Sequence, residues 1–333
     1  MMATPKIALF ADGGSAQLAA LDAVFQEKAV PTHVFDIQLG GPGKPGVTID
    51  PERLIWDGVD FHDIEAVHIR CMSINTPAAV PALMNAGNYA EMRATYLREQ
   101  EYQSVTKSFF EQLSQRNKLV INTLTRAYVD HDTKAQLYQK LADAGFCVPQ
   151  TVMTNCPERA KAFFNRVGAA VAKPSIGIGS TRKVSTHDME RLGELAKSPT
   201  LFQELIEGDT IRVHIVGDKV VLALRILSAE GQVDSRTDPQ GFEFFEMPED
   251  EAEKLVKATH FLGLHYAAWD ILAARDGRYA YLDCNPGPFI LWIGEKNTHA
   301  VFSRLADFMI AYTQSGDLQT AYRAVTPCKQ SEA

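Results

Sequence analysis

The first 121 residues alternate between β-rich runs and segments whose apolar residues recur at helical spacing. This alternation limits the possible folds more than any other feature of the sequence. A β-rich run over Lys6–Phe10 is followed by a Gly-Gly turn and by residues 16–29, where apolar side chains recur every three or four positions. Further strands and one long helix are predicted at residues 32–37, 66–69, about 88–116 and 119–121. Strands that alternate with helices pair in parallel. We therefore predict a doubly wound α/β sheet that binds ligands at the carboxyl ends of its strands.

Antiparallel hairpins dominate the later part of the chain. Residues 211–226 and 269–284 each read as two β-rich runs, which turn at Gly217-Asp218 and at Asp276-Gly277. A parallel α/β region followed by an α+β region implies at least two differently built domains. A cleft between the domains is the expected ligand site.

Composition excludes several functional classes. The 333 residues include 33 Lys and Arg against 41 Asp and Glu, a net charge of −8, and a chain this acidic lacks the basic surface of a nucleic-acid binder. The five cysteines show no CxxC spacing, which argues against a disulfide framework or a zinc ribbon and is typical of a reducing cytosol. The N-terminus has no signal-peptide pattern, and the longest apolar run, Val220–Leu227, is too short to span a bilayer. We therefore expect a soluble, cytoplasmic protein without nucleic-acid or membrane partners.

The C-terminal hairpin contains a set of oxygen ligands. Asp283 and Asn285 are two residues apart and share one face of a strand, and Asp270 on the preceding strand can lie beside them. Two carboxylates and an amide oxygen on one sheet face suit Mg²⁺ that bridges nucleotide phosphates. A solvated acidic hairpin is the alternative, but an unpaired carboxylate within an aromatic, apolar strand would be costly.

Two lysines are candidates for binding phosphate. Lys173 follows the predicted strand at residues 169–172 and precedes the small-residue loop at 175–181, an arrangement suited to a backbone phosphate cradle, although no Walker A sequence is present. Lys134 lies in the first turn of a helix that Asp132 can cap. A plain turn and a surface lysine are the alternatives.

Other candidate ligand-binding groups lie on strands. Residues 203–206 end an apolar strand and resemble an interdomain linker whose backbone could bind an adenine edge. Arg212 and Arg225 stand on facing strands of one hairpin, and two arginines directed at a magnesium–phosphate site would stabilise charge during phosphoryl transfer. Arg70 ends the predicted strand at residues 66–69, where it could bind a substrate carboxylate or form an ordinary surface ion pair.

The order of these features resembles the ATP-grasp superfamily. In chain order the sequence shows a helical lysine, Lys-Pro with a glycine loop, QELI, GDTIRV with a following GD turn, WDIL and LDCNPGP. Within the superfamily, the chain is most similar to the RimK-like carboxylate–amine ligases. The similarity covers about residues 130–310, and the N-terminal part resembles a pre-ATP-grasp domain in architecture alone. The implied organisation is a pre-ATP-grasp α/β domain at 1–125, a small lid subdomain at 126–205 and a C-terminal subdomain with the metal site at 206–333.

The resemblance also implies a role for each candidate residue. It indicates ATP as the nucleotide and two Mg²⁺ ions, with Mn²⁺ as an alternative metal. The segment VDSRTD resembles the D-x-R loop of these ligases, which puts Arg236 near an acyl phosphate. The implied set is Lys134 and Lys173 for phosphates, Gln203, Glu204 and Ile206 for adenine, Asp209 or Thr210 for ribose, Asp270, Asp283 and Asn285 for metals, and Arg212, Arg225 and Arg236 for catalysis.

The sequence departs from the family pattern at three positions. The metal-binding acid before Asn285 is usually Glu, and here it is Asp283. The glycine loop after Lys173 is shortened and irregular. The acidic residue expected just before Ile211 is replaced by Thr210, with Asp209 one place earlier.

These features predict an ADP-forming ligase. A substrate carboxylate takes the γ-phosphate of ATP, and an amine then captures the acyl phosphate as an amide. The RimK-like branch implies amino-acid-like, peptide or protein substrates and often a homo-oligomer. The alternatives are a kinase on the same scaffold and a non-catalytic nucleotide-binding module. A nicotinamide-dependent oxidoreductase is disfavoured because DGGSAQ, after the first strand, is not GxGxxG.

Overall fold

The structure is a computed structural model that describes residues 6–39, 43–70, 89–124, 133–174, 180–229, 231–235 and 237–330. The strands are β1 (Ile7–Ala11), β2 (Thr32–Asp36), β3 (Val47–Ile49), β4 (Leu54–Trp56), β5 (Val59–Asp60), β6 (Ala66–Arg70), β7 (Leu119–Ile121), β8 (Thr151–Thr154), β9 (Ala170–Lys173), β10 (Arg182–Lys183), β11 (Thr200–Glu204), β12 (Gly208–Val216), β13 (Lys219–Leu227), β14 (Gly241–Phe244), β15 (Tyr266–Ala274) and β16 (Tyr279–Asn285). The α-helices are α1 (Ala16–Glu27), α2 (Tyr89–Gln115), α3 (Lys134–Asp143), α4 (Pro157–Val167), α5 (Thr186–Glu190), α6 (Glu249–Phe261), α7 (Glu295–Ser315) and α8 (Leu318–Ala324).

The chain divides into two compact units. The first combines Met1–Thr125 with Gly287–Thr326, and the second combines Arg126–Pro286 with Pro327–Ala333. One division between the units falls after residue 125. At the other end it differs from the prediction, because residues 287–326, with α7 and α8, belong to the first unit and not to a subdomain at 206–333. The proposed boundary within the second unit, near residue 205, stays a prediction.

The first unit contains a parallel four-stranded sheet in the order β2-β1-β6-β7, which confirms the predicted α/β architecture. Every residue of β1 is buried. Phe10 on β1 has its ring centroid 5.0 Å from that of Phe35, 5.1 Å from that of Trp56 and 4.9 Å from that of Phe110 on α2. This aromatic core fixes α2 on the sheet.

A three-stranded antiparallel sheet, β3-β4-β5, adds a feature that the sequence analysis did not predict. Its strands are two or three residues long, which is too short for a periodicity to be visible. The signal that could have found it is the dipeptide Asp57-Gly58. Both residues have positive φ, 50° and 80°, as a two-residue hairpin turn requires.

The second unit contains two antiparallel sheets. The smaller has the order β10-β9-β11-β8, and α4 covers it through Phe163 and Phe164, which pack with Phe202 of β11. The larger has the order β14-β13-β12-β15-β16. Both predicted hairpins are confirmed in this larger sheet, with Gly217 and Gly277 at positive φ in their turns.

Helices α3 and α6 cover one face of the five-stranded sheet. Leu137 and Leu141 of α3 and Leu255 of α6 join Trp269 of β15 in one buried cluster. The N-cap of α3 is Thr133, which makes no side-chain capping bond, and the predicted cap Asp132 lies outside the described residues. The apolar residues of α3 therefore anchor a helix whose first residue is Lys134.

Candidate active site

Strands β15 and β16 bring two carboxylates together. Asp270 and Asp283 are register partners and are both buried. The register then shifts, because Ile271 pairs with Tyr281 and leaves Leu282 as an extra residue, a β-bulge. On one side of the bulge Tyr281 joins the hydrophobic core, and on the other side Asp283 lines a cavity. The bulge therefore directs the carboxylate out of the core.

The third predicted metal ligand lies on the same face. Asn285 pairs with Ala268, and its Nδ2 donates to the Ala268 carbonyl oxygen over 3.4 Å. Residues two apart share a strand face, so Asn285 lies on the side of Asp283 and Asp270. In the described part of the chain, no group of three or more His, Cys, Asp or Glu side chains could hold a metal ion. The candidate set has a different composition, two carboxylates and one amide oxygen.

Each of these carboxylates forms a buried ion pair. Lys134 Nζ lies 2.5 Å from Asp283 Oδ2, with side chains 7% and 8% exposed. Arg212 Nη1 lies 2.7 Å from Asp270 Oδ1, with both side chains 5% exposed. Two cations and two carboxylates are thus held next to one another in a poorly solvated place. Such pairs need close geometry, because desolvation offsets much of their attraction.

Lys173, the second lysine predicted to bind phosphate, contacts the bulge directly and through Tyr138. Tyr138 lies one helical turn after Lys134, and its Oη donates to the Leu282 carbonyl oxygen over 2.6 Å. Lys173 Nζ donates to Tyr138 Oη and also to the Leu282 carbonyl, at 3.3 Å. Tyr138 is not among the site residues predicted from the sequence. The signal that could have found it is its position four residues after Lys134, on the same face of a helix.

Two side chains of the predicted adenine linker are engaged by other protein groups. Gln203 is buried and donates to Thr151 Oγ1 over 2.9 Å. Glu204 accepts from the Gln150 backbone N–H over 3.1 Å and pairs with Arg278 at 3.4 Å. What these residues can offer a ligand is therefore mainly their backbone.

A cavity of about 590 Å³ connects most of the predicted residues within the second unit. Its volume is in the range of small-molecule sites. Ile206, Ala274 and Ala280 form a small apolar cluster beside it. The predicted residues that line the cavity are Lys134, Lys173, Gln203, Glu204, Ile206, Asp209, Thr210, Arg225, Asp270 and Asp283.

The two arginines of the β12–β13 hairpin do not share a sheet face. Arg225 pairs in register with Ile211, a core residue, whereas Arg212 pairs with Leu224, so the two arginines lie on opposite faces of the sheet. The cause is a second bulge, at Val221, which shifts the register of β13 by one residue. Arg225 instead pairs with Asp209 at 3.0 Å, on the helix-covered face. Arg225 nevertheless lines the cavity, and Arg212 is paired with Asp270, which also lines it. The catalytic role of both arginines stays a prediction.

Two other predicted residues do not belong to the described part of the second unit. Arg236 lies outside the described residues. Arg70 belongs to the first unit, where its guanidinium carbon is 5.6 Å from the centroid of the Phe289 ring. Its buried Nε has no hydrogen-bond partner among the residues that the structure describes.

Two histidines of the second unit have lowered pKa values. Burial lowers the pKa of His214 well below its ordinary value, and the nearby Arg212 adds to the effect. Burial lowers the pKa of His265 to about 4, with a further contribution from His260. His214 lies two residues from Arg212 on β12, so the charge on this face of the strand comes from the arginine.

Comparisons with known proteins agree with this architecture. Residues 131–237 match the ATP-grasp domain family. A probable alpha-L-glutamate ligase of Syntrophotalea carbinolica is 28% identical over 200 residues, which is 56% of this chain and 66% of that protein. The tetrahydromethanopterin:alpha-L-glutamate ligase of Methanocaldococcus jannaschii is 26% identical over 181 residues, 50% of this chain and 62% of that protein. The chain thus matches less than two thirds of the length of these curated relatives.

A similarity to solved structures covers almost the whole chain. The ATP-grasp ligase PsnB, complexed with a minimal precursor, Mg and ADP, superposes with a TM-score of 0.80 at 27% identity, over 94% of this chain and 99% of that one. These matches and the site define a protein with the ATP-grasp fold. The resemblance to its RimK-like ligase branch is confirmed. Among the helices that the structure describes, none has both the length and the apolar character needed to cross a bilayer.

Proposed function

We propose that this protein is an ATP-dependent, ADP-forming carboxylate–amine ligase that acts through an acyl phosphate. The observation that carries the proposal is the pair of buried ion pairs, Lys134–Asp283 and Arg212–Asp270, at the wall of the 590 Å³ cavity. A protein seldom buries four charged groups together for stability alone, because well-packed apolar side chains serve as well. Charged groups beside a cavity of ligand size instead suit the binding of a charged ligand.

The cavity has the parts that a nucleoside triphosphate needs. In this proposal Lys134 and Lys173 bind the phosphates, the backbone at Gln203, Glu204 and Ile206 binds the adenine edge, and Ile206 packs against the ring. Asp209 or Thr210 binds the ribose. Asp209 is already paired with Arg225, which makes Thr210 the simpler choice.

The acidic face fits Mg²⁺ by its donor chemistry. Asp270, Asp283 and Asn285 offer hard oxygen ligands on one face, and hard divalent cations bind such groups together with phosphate oxygens. We propose that these three residues hold the metal, with two Mg²⁺ ions or Mn²⁺ as in the family. Bound there, the metal would neutralise phosphate charge that the lysines do not reach.

The proposed reaction has two steps. A substrate carboxylate oxygen attacks the γ-phosphorus of ATP, the bond from γ-phosphorus to the bridging oxygen breaks, and ADP leaves. An amine nitrogen then attacks the acyl carbon, and phosphate and a proton are released as the amide forms. Lys134, Lys173 and Arg212 provide positive charge in this proposal, and Arg225, which lines the cavity, adds to it. Arg236 keeps the role near the acyl phosphate that the family resemblance implies.

The substrates are proposed to be amino-acid-like or peptidic. The relatives named above include alpha-L-glutamate ligases, and the PsnB structure holds a precursor peptide. Arg70 is proposed to bind a substrate carboxylate, since it ends a strand of the parallel sheet and one of its donors is buried and unsatisfied among the described residues.

Nucleotide binding is the first step to test. Thermal unfolding would be followed with and without Mg²⁺ and ATP for wild type, Asp283→Asn and Asp276→Asn, each compared with its own unliganded midpoint. Asp276 is an exposed carboxylate in the turn of the same hairpin, which makes it a matched control. A ligand at one hundred times its Kd stabilises the folded state by about 2.7 kcal/mol. We expect this rise for wild type and Asp276→Asn and its loss for Asp283→Asn, and no rise in wild type would overturn the proposal.

Catalysis is tested separately by ADP release. Purified protein would be incubated with Mg²⁺, ATP, L-glutamate and a peptide library, and then with hydroxylamine in place of the amine. A hydroxamate and ADP together are expected, because hydroxylamine captures an acyl phosphate. A stable phosphorylated product without hydroxamate would instead identify a kinase, and binding without any ADP would identify a non-catalytic module.

A further inference from the structure

Tyr138 lies beside Lys134 and Lys173, the two lysines proposed to bind phosphate, and contacts β16, the strand that carries Asp283 and Asn285. It is 3% exposed, and it follows Lys134 by one turn of α3. Its hydroxyl donates to the carbonyl of Leu282 over 2.6 Å. Leu282 is the bulge residue that directly precedes Asp283. Tyr138 therefore links α3 to the bulge of β16, directly before Asp283, whose carboxylate faces the cavity.

The same tyrosine contacts Lys173 in two ways. Lys173 Nζ donates to Tyr138 Oη and lies 4.8 Å from the centroid of the Tyr138 ring. It also donates to the Leu282 carbonyl over 3.3 Å. The ring, the hydroxyl and the carbonyl together restrict a side chain that otherwise has many rotamers. Lys173 comes from the smaller sheet of the second unit, so Tyr138 fixes it against the larger one.

We propose that Tyr138 is a positioning residue for nucleotide binding, which holds the Lys173 ammonium in place for the phosphates of ATP. The inference rests on the proposed function, since it needs Lys173 to bind phosphate. Ordering a lysine side chain on binding reduces affinity, and a lysine that is already ordered avoids this loss. The bulge is part of the arrangement, because an extra residue in a strand has a carbonyl displaced from the regular ladder and able to accept from side chains.

Two substitutions separate the hydroxyl from the ring. Tyr138→Phe keeps the ring above Lys173 and removes the hydroxyl's hydrogen bonds with the Leu282 carbonyl and with Lys173. Tyr138→Leu removes the ring contact as well. Tyr281→Phe is the matched control, because Tyr281 is also a buried tyrosine of the second unit, and its hydroxyl has no hydrogen-bond partner among the described residues. Thermal unfolding of all three variants shows whether the fold is kept.

Calorimetric titration with Mg²⁺ and ATP gives the main result, and saturation-transfer NMR with adenosine gives the comparison. We expect Tyr138→Phe to weaken ATP binding about tenfold, the usual effect of losing a hydrogen bond to a charged group, and Tyr138→Leu to weaken it further. Adenosine binding should change by less than about twofold, because adenosine has no phosphate for Lys173 to bind. In turnover, KM for ATP should rise more than kcat falls.

A double-mutant cycle with Lys173→Met identifies the route of the effect. If Tyr138 acts through Lys173, Tyr138→Phe should cause no further loss of ATP affinity in the Lys173→Met background. Equal losses of ATP and adenosine binding, or an undiminished effect in that background, would show that Tyr138 supports only the fold and would overturn the inference. Unchanged or tighter ATP binding in Tyr138→Phe would also overturn it. A wild-type protein that binds no ATP would overturn the proposed function together with the inference, and this outcome is distinguishable from the others.

Discussion

Replacing Lys134 with methionine tests the energetics of the buried charges directly. Methionine keeps most of the apolar stem of lysine, so the change removes the charge beside Asp283 with little loss of packing volume. The pair is 2.5 Å apart, and its side chains are 7% and 8% exposed. Removing one partner of such a pair destabilises a protein by about 3–5 kcal/mol. For a unit of this size, the unfolding midpoint should fall by roughly 6–20 °C.

The assay is urea and thermal unfolding of Lys134→Met, Asp283→Asn and the double variant. The double variant should be less destabilised than either single one, because it leaves no unpaired charge of this pair in the interior. Mg²⁺ without nucleotide should recover part of the loss in Lys134→Met, since a cation then lies beside Asp283 again. Lys254→Met is the control, because Lys254 also has a carboxylate at 2.5 Å but is 49% exposed, and it should stay near wild type. Additive losses in the double variant would refute the reasoning.

Three further predictions concern stability. Gln17 is buried and bonds the loop at 288–290 through both of its amide atoms at 2.8 Å, so Gln17→Ala should lower the free energy of unfolding by about 2–4 kcal/mol in urea denaturation. A Cβ at Gly208 would lie 2.3 Å from a carbonyl oxygen of β15, so Gly208→Ala should lower the free energy of unfolding by about 1–3 kcal/mol in urea denaturation. Gly193→Ala is the control and should leave that free energy unchanged, because a Cβ there would meet no neighbouring atom within 4 Å. Burial lowers the pKa of His68 from 6.5 to about 4, so below pH 6.5 the unfolded state takes up the proton first and stability falls until about pH 4. His68→Gln should flatten this dependence by up to about 1.4 kcal/mol per pH unit, and an unchanged slope would contradict the assignment.

The parts of the fold that could be predicted from sequence are those that depend on local pattern. The alternation of strands and helices predicted the parallel sheet, and Gly217 and Gly277 marked the turns of the two hairpins. The pairing of Asp270 with Asp283 also followed from hairpin geometry, because the two strands are adjacent in sequence. Each of these needs only short-range information.

The parts that could not be predicted depend on register and on contacts distant in sequence. If the two strands paired without a bulge from the Gly217 turn onwards, Arg225 would lie on the same sheet face as Arg212. The bulge at Val221 moves Arg225 to the opposite face. The Val221 carbonyl accepts a bond from the Cys328 N–H at 2.8 Å, more than a hundred residues later. No local pattern shows such a contact. The placement of α7 and α8 in the first unit has the same origin, since α7 packs against α1 and α8 packs against α7.

The extra residue at Leu282 shifts the pairing of β16 with β15 by one residue, so the residues before and after it follow different registers. In a regular strand Tyr281 and Asp283 would share one environment, either a core that excludes the carboxylate or a wet cavity that exposes the aromatic ring. The insertion lets Tyr281 lie in the hydrophobic core while Asp283, two residues later, lines the cavity. Deleting Leu282 would leave Tyr281 opposite Ile271 and Asp283 opposite Asp270 in a regular ladder. The deletion would therefore keep both environments and remove the carbonyl that accepts from Tyr138 and Lys173, so the extra residue contributes its backbone to the site and not its side chain.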